Sequence, residues 1–371
     1  MPEPLRPSLH TSTTIHHDES PPGQYDAPSL SPTATPTPTS SPFTPPTIQR
    51  QPLLAGQSYT HHSPLPPTLA IDASIPVVLG VDEAGRGPVL GPMVYGVFYC
   101  PLSMHTTLLR EQYNFMDSKV LTPVVREELV QKLCQFPTEE APSGNALYQN
   151  CGYATRVMSA RDISAGMLRP TGTYNLNAQA MDATIQLIKD VFERGLDVRE
   201  IYVDTIGQPK TYQDRLQRIF PTTKVVVEKK ADSIYPVVSA ASVVAKVTRD
   251  VGLEVMWEDI KRNRHADGQA GTDGQEQGQE ESWGSGYPSD KRTPLWLERN
   301  MDPVFGWGNE CRFSWGTAKD MLEKGAIRVE WPEEDDGEQE MRVTDFFAER
   351  SEEEGDELVN WFGRPAAEAV F

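Results

Sequence analysis

Residues 77–100 read VVLGVDEAGRGPVLGPMVYGVFYC, and this stretch decides the fold class. Val77 to Val81 is a short apolar run rich in β-branched residues, the pattern of a strand buried on both faces. The Gly- and Pro-rich middle reads as a turn, and Tyr95 to Cys100 resumes extended character. Too few residues separate the runs for a crossover helix, so they pair as an antiparallel hairpin. Two adjacent acids, Asp82 and Glu83, follow the first run directly. Neighbouring side chains on a strand face opposite ways. The two acids therefore reach one site only if the chain turns there, as the glycines after them permit.

Outward from this hairpin the pattern alternates. Thr122 suits an N-cap before Pro123, and Val124, Leu129, Val130 and Leu133 recur at roughly helical spacing. A second helix is expected over Asn177–Arg194, with Met181, Ile185, Ile188 and Phe192 on one side and Gly195 ending it. EIYVDTIG reads as a strand ending at Asp204, followed by a helix around Thr211–Ile219. KVVVEKKAD is a further strand, Ser233–Ile260 is mainly helical despite Pro236, and Thr317–Glu323 suits a short helix. Strands alternating with helices indicate an α/β body.

Composition divides the chain. Residues 1–74 are rich in Pro, Ser and Thr and lack the apolar surface that would offset ordering, so disorder is expected there. The catalytic body is expected over 75–262. A polar insertion, 263–282, holds HADGQAGTDGQEQGQEES, and order returns in a C-terminal part over 283–325 with Tyr287, Trp296, Phe305, Trp307, Phe313 and Trp315. An acidic tail occupies 326–371. The net charge of -19 is spread unevenly: from Pro76 to Arg262 there are 22 acidic against 21 basic residues, and from Asn263 onward 26 against 11. The acidity lies mostly outside the body, so it does not oppose a basic groove, which depends on local clustering. Cys100, Cys134, Cys151 and Cys311 match no zinc spacing and read as reduced thiols. No apolar run reaches the roughly 18 residues of a membrane span, and no membrane association is expected.

The sharpest chemistry lies in acids placed at strand ends: Asp82, Glu83, Asp204 and Asp232. Brought together they would repel and raise one another's pKa unless cations neutralised them. Hard oxygen donors favour magnesium or manganese over zinc. Two such ions activate a water and stabilise the leaving oxygen of a phosphodiester. His105, the one histidine of the expected folded region before the insertion, sits beside no evident nucleophile, which makes histidine-based catalysis the weaker reading. The bland alternative is that these acids cap helices or solvate loops.

VVLGVDEAGRGPVLGPMVYGVFYCPL resembles the opening of type 2 ribonuclease H proteins, above all the eukaryotic catalytic subunits. The likeness continues, in the family's order, through MDSKVL, TYNLNAQA, IYVDTIGQPKTYQDRLQRIFP, KKADSIYPVVSAASVVAKVTRD, GSGYPSD and PVFGWGNECRFSW. It implies a ribonuclease H-like mixed sheet flanked by helices, with a small C-terminal helical part. It also implies that Asp82, Glu83, Asp204 and Asp232 hold two Mg2+ ions, or Mn2+, and carry catalysis. The implied substrates are RNA/DNA hybrids and duplex DNA with embedded ribonucleotides, cut on the 5′ side to leave 3′-hydroxyl and 5′-phosphate ends.

By the same resemblance Gly85, Arg86 and Gly87 form a loop that approaches a ribose 2′-hydroxyl, the group that separates RNA from DNA. Tyr287 corresponds to the residue that packs against the deoxyribose after the ribonucleotide. Lys119 of the DSK motif, with Ser239, Ser242, Lys246 and Arg249, belongs to the expected substrate region. Tyr174 and Asn175 fall in the pattern without an assigned role. In the tail, Val343, Phe346 and Phe347 resemble the end of a motif that binds the replication sliding clamp, although Glu340 stands where that motif has glutamine; the alternative is that this segment attaches to the enzyme or its accessory subunits. The resemblance further implies two non-catalytic partner subunits in a heterotrimer and a nuclear location. Two other readings share the acids: a ribonuclease H-fold nuclease of different specificity, and a non-catalytic nucleic-acid-binding scaffold.

Overall fold

In the computed structural model, Val77–Ala84 forms β2 and Met93–Pro101 forms β3, paired antiparallel with Asp82 opposite Gly96 and Glu83 opposite Tyr95. The structure describes residues 43–115, 120–135, 146–170, 172, 174–205, 207–266, 282–330 and 364–365. β2 is the centre of a mixed six-stranded sheet with order β1-β4-β3-β2-β5-β6. Its other strands are β1 (Tyr59–His62), β4 (Gly152–Met158), β5 (Val198–Asp204) and β6 (Lys224–Glu228). β2, β5 and β6 are parallel, so their C-terminal ends lie along one edge. The remaining neighbours are antiparallel.

The chain contributes eleven α-helices among the described residues, α1 (Arg50–Leu54), α2 (Pro67–Ile71), α3 (Pro123–Cys134), α4 (Ala146–Asn150), α5 (Ala160–Met167) and α6 (Leu176–Glu193) being the first six. α7 (Pro209–Ile219), α8 (Ala231–Ile234), α9 (Pro236–Ala266), α10 (Arg292–Arg299) and α11 (Gly316–Gly325) follow. Thr122 caps α3 by accepting from the Val125 amide, and Asn175 caps α6 by accepting from Ala178. Asn175 thus acquires a structural role that its motif did not reveal. Gly195, at φ +81°, stops α6 as expected.

Two cores sandwich the sheet. On one face Val77, Leu79, Val81 and Tyr95 pack with Leu187 and Val191 of α6 and Leu216 of α7. On the other, Val78 and Phe98 pack with Val237, Ala241 and Val244 of α9. α9 lies almost on the backbone of the sheet. A Cβ at Gly80 would stand 2.4 Å from the Val237 carbonyl carbon, and one at Gly96 2.6 Å from the Ala241 oxygen. Only glycine permits that approach. Among the described residues no helix is long and apolar enough to cross a membrane.

Two expected boundaries move. The described structure already includes Phe43 onward, well before the expected start near Ile75. β1 adds to the sheet edge against β4, Leu53, Tyr59 and Leu69 are buried, and buried Thr47 hydrogen-bonds Thr248 on α9 at 2.8 Å. Sparse apolar residues set at the right intervals supply anchors that an averaged composition conceals. α9 likewise runs on to Ala266, past the expected start of the insertion, while residues 267–281 lie outside the described residues.

Candidate active site

The ends of β2 and β5 bring Asp82 and Asp204 level, because Val81 pairs with Val203 in parallel register. One Asp204 carboxylate oxygen accepts from the Thr205 and Ala231 amides, both at 3.0 Å, which ties the end of β5 to the start of α8. That turn carries Asp232, buried at 2% exposure. Lys230, just before it, sits at φ +59°, a left-handed conformation that costs a non-glycine residue energy and reverses the chain abruptly. All four sequence-predicted acids line one cleft of about 650 Å³.

The hairpin does not turn at Asp82 and Glu83: β2 continues through Ala84. The two acids consequently leave the strand on opposite faces. Asp82 faces α9, where the Ser242 hydroxyl hydrogen-bonds its carboxylate. Glu83 faces α6 and α7 and borders a second cavity of about 400 Å³ with Tyr95 and Tyr212. Burial first, then Glu83 and Asp204, drives the Asp82 carboxyl well above the usual range. Burial also pushes Glu83 up to about 7, with Asp204 adding to the rise and Arg86 opposing it.

Among the described residues, no three His, Cys, Asp or Glu side chains stand close enough as placed to hold one metal ion. The donor set nonetheless fits a hard divalent cation. Four carboxylates share a cleft, and the raised Asp82 and Glu83 show the electrostatic penalty that a cation would relieve.

The glycine loop after β2 is held from behind. Gly85 has φ +78°, and a Cβ there would meet the Pro92 oxygen at 2.8 Å. The fully buried Arg312 donates to the carbonyls of Gly85 (2.7 Å), Arg86 (3.1 Å) and Gly91 (3.0 Å). Trp315 Nε1 donates to the Gly87 carbonyl at 3.0 Å, and the Arg312 guanidinium lies 4.7 Å from its ring centroid. Burial and the charge of Arg249 pull Arg312 down to about 9, which leaves it charged at neutral pH. In a trans peptide the N–H opposes the C=O. Turning the Gly85 and Arg86 carbonyls inward therefore aims the Arg86 and Gly87 amides away from Arg312. The Arg86 side chain reaches back to Asn177.

Tyr287 stands against this loop. A Cβ at Gly87 would lie 3.2 Å from its ring, and the residue is 37% exposed. The Gly286 carbonyl accepts from Val89 and Leu90, so the two loops share one short ladder. Asp290 braces the turn from the other side by accepting from the Ser285 amide at 2.8 Å and from Arg292, contacts that hold its carboxyl below the ordinary range. Gly85, Arg86, Gly87 and Tyr287 therefore converge on one rim.

Other predicted contacts need correction. Ser239 and Ser242 are fully enclosed, so neither offers a substrate surface; Ser242 supports Asp82 instead. Arg249 is largely committed within the protein, to Asp250 at 2.8 Å, to the Ser285 carbonyl at 2.5 Å and to the Tyr287 ring at 5.4 Å. Lys246 does line the cleft and donates to Ser242 at 3.0 Å. Lys119 lies outside the described residues, as do Val343, Phe346 and Phe347. Sequence reading missed Arg312, Trp315, Arg126, Lys229 and Lys230. An arginine in an aromatic-rich segment looks like surface, and only burial distinguishes Arg312.

The chain that builds this cleft has known relatives. The family model described as Ribonuclease HII matches residues 79–318. The chain belongs to the ribonuclease HII family. The ribonuclease H2 A subunit of Neurospora crassa is 54% identical over 336 residues, covering 89% of this chain and 97% of that protein. Its human counterpart is 42% identical over 287 residues, covering 77% and 85%. The ribonuclease H2 crystal structure from Pyrococcus horikoshii is similar with a TM-score of 0.48 at 30% identity, covering 67% of this chain and 97% of that one. As a ribonuclease HII family member, the chain is an endonuclease directed at RNA strands, and the mixed sheet with flanking helices is its ribonuclease H-like fold.

Proposed function

We propose that this chain cuts the RNA strand of RNA/DNA hybrids and incises duplex DNA on the 5′ side of an embedded ribonucleotide. The observation that carries this is the Gly87–Tyr287 contact at the rim of the cleft lined by four acids. A ribose read by the Arg86 and Gly87 amides would present its 2′-hydroxyl to donors fixed by Arg312 and Trp315. The Tyr287 ring beside it would cover the next sugar, where a deoxyribose fits and a second 2′-hydroxyl crowds.

Asp82, Glu83, Asp204 and Asp232 would hold Mg2+, with Mn2+ as the alternative. When bound, the cations supply an activated water and charge stabilisation at the leaving oxygen. The protein orients their ligands: the Ser242 hydroxyl steadies Asp82, and the Thr205 and Ala231 amides steady Asp204. Lys246 adds positive charge at the phosphate side of the cleft. The products would carry a 3′-hydroxyl upstream and a 5′-phosphate downstream.

Likeness to the A subunits of eukaryotic ribonuclease H2 supports assembly with two non-catalytic subunits and action in the nucleus. Val343, Phe346 and Phe347 form the candidate sliding-clamp motif, on the sequence pattern alone.

The test compares three duplexes, with Mg2+ or with EDTA: one ribonucleotide in DNA, an RNA/DNA hybrid, and all DNA. The assembled three-subunit enzyme should cut the first two only, stop in EDTA, and lose turnover in Asp204→Asn while still binding substrate. Absence of incision by folded, assembled enzyme would overturn the assignment; normal turnover of Asp204→Asn would remove its ligand role.

A further inference from the structure

The same cleft carries three basic side chains that no motif reading singled out: Arg126 from α3, and Lys229 and Lys230 from the turn between β6 and α8. Unlike Arg86 and Arg249, none of them makes an ion pair or side-chain hydrogen bond among the described residues. Lys229 and Lys230 are exposed, and the Arg126 Nε is enclosed without a hydrogen-bond partner. Arg126 is only part-buried and lines the cleft, where an anion that arrives with the substrate can meet its guanidinium.

Their position in the sheet says which anion. Along the C-terminal edge the strand order is β2, β5, β6. The ribose-reading loop leaves from β2, Asp204 ends β5, and Lys229 and Lys230 leave from β6. Two strand spacings separate the ends, roughly 10 Å. Successive phosphates of one strand lie farther apart than their rise of about 3.4 Å along the duplex axis, so a strand following this edge sets about two to three phosphates along it. The Gly87–Tyr287 rim is at the β2 end, with Asp204 on the strand between it and the lysines.

We propose that Arg126, Lys229 and Lys230 form a second grip, which binds phosphates of the cleaved strand upstream of the cut. This deepens the reading under Proposed function and rests on it for direction. If the β2 rim holds the ribonucleotide and the sugar after it, the scissile phosphate lies over the acids, and the strand continuing toward β6 is the 5′ side. The grip would hold the future 3′-hydroxyl end while the Tyr287 side holds the 5′-phosphate end. The left-handed backbone at Lys230 has a double use here: it swings Asp232 into the cleft and leaves two lysines on the outer side of the turn.

The experiment measures equilibrium binding by fluorescence anisotropy in EDTA, so that it does not depend on turnover. The probe is a single-ribonucleotide DNA duplex with charge-neutral methylphosphonates at three linkages, either upstream or downstream of the ribonucleotide. Wild type should bind the upstream-neutral duplex roughly tenfold more weakly than the unmodified one. The combined R126Q, K229Q and K230Q enzyme, checked for an unchanged circular dichroism spectrum and for assembly, should no longer tell those two duplexes apart. Its slope of log affinity against log salt should shrink by about 2–3, the number of phosphates released. It should keep its response to downstream neutralisation. If wild type and variant respond equally to upstream neutralisation, or if the variant loses its response on the downstream side instead, the second grip is wrong. Incision at the ribonucleotide by wild type, run in parallel with Mg2+, reports separately on the activity itself.

Discussion

Arg312 offers the most demanding test of how this site is built. It is a fully buried cation whose guanidinium donates to three backbone carbonyls of the glycine loop and its exit, at Gly85, Arg86 and Gly91. Arg312→Met keeps much of the volume and removes the charge and all three bonds. The carbonyls are then left enclosed without those donors. Each hydrogen bond to a charged group contributes about 1.5–3 kcal/mol, while the desolvation of the guanidinium offsets part of the sum. Leaving three carbonyls without donors costs about 1–3 kcal/mol each, and relief of the guanidinium's own desolvation brings the net to about 3–5 kcal/mol. For a domain of this size 1 kcal/mol lowers Tm by roughly 2–4 °C, so a fall of roughly 6–20 °C is expected.

The activity should fall further than stability explains. If only about 1.4 kcal/mol of loop orientation is lost from the transition state, kcat/KM drops tenfold. The informative measurement is therefore a pair: thermal melting, and kcat/KM on a single-ribonucleotide duplex well below the variant's Tm. Amide exchange at Arg86 and Gly87 should quicken in the same protein. Arg312→Lys should recover only part of either quantity, because a point charge cannot serve three carbonyls at once. A Met variant that melts within about 2 °C of wild type, with unchanged kcat/KM and exchange, would refute the account of the loop.

Two further outcomes are expected. His61 and His62 on β1 are both held below their ordinary pKa, chiefly by burial, although Asp190 at 3.2 Å pulls His62 upward. The unfolded chain then binds more protons just below about pH 6.5, so stability is full above that pH and declines as pH falls toward the depressed values. Tm should drop between about pH 7 and pH 5, and a His61→Gln, His62→Gln variant should show a flatter profile; identical slopes would remove these histidines as the cause. In the tail, wild type should retain the sliding clamp in a pull-down more strongly than a Phe346→Ala, Phe347→Ala variant, and equal retention would dismiss that contact.

Much of the architecture was legible from local pattern. The β2–β3 hairpin, the strands ending at Asp204 and before Asp232, and the capped helices α3 and α6 follow from β-branched runs, turn residues and helical spacing, all short-range signals. The acids were legible as a set because each closes or follows a strand. What pattern misread was the segment over 43–74, whose few apolar anchors are diluted by proline, and the geometry at Asp82 and Glu83. The glycines after that pair do turn the chain, but only after Ala84, so the acids stay on opposite faces of β2. Ser239 and Ser242 share a helical side with Lys246, yet spacing does not say which of them α9 presses into the sheet.

The amino-acid sequence by itself determined the hairpin, the α/β alternation, the four acids and the family, since each is written in neighbouring residues and their order. Only tertiary structure decided that Arg312 and Trp315, more than 220 positions from the glycine loop, turn its carbonyls inward, and that Arg126 meets Lys229 and Lys230 across one cleft. The physical reason is burial. A guanidinium's role depends on whether water or three carbonyls surround it, and that is a property of distant segments packed together rather than of the residue or its neighbours in sequence.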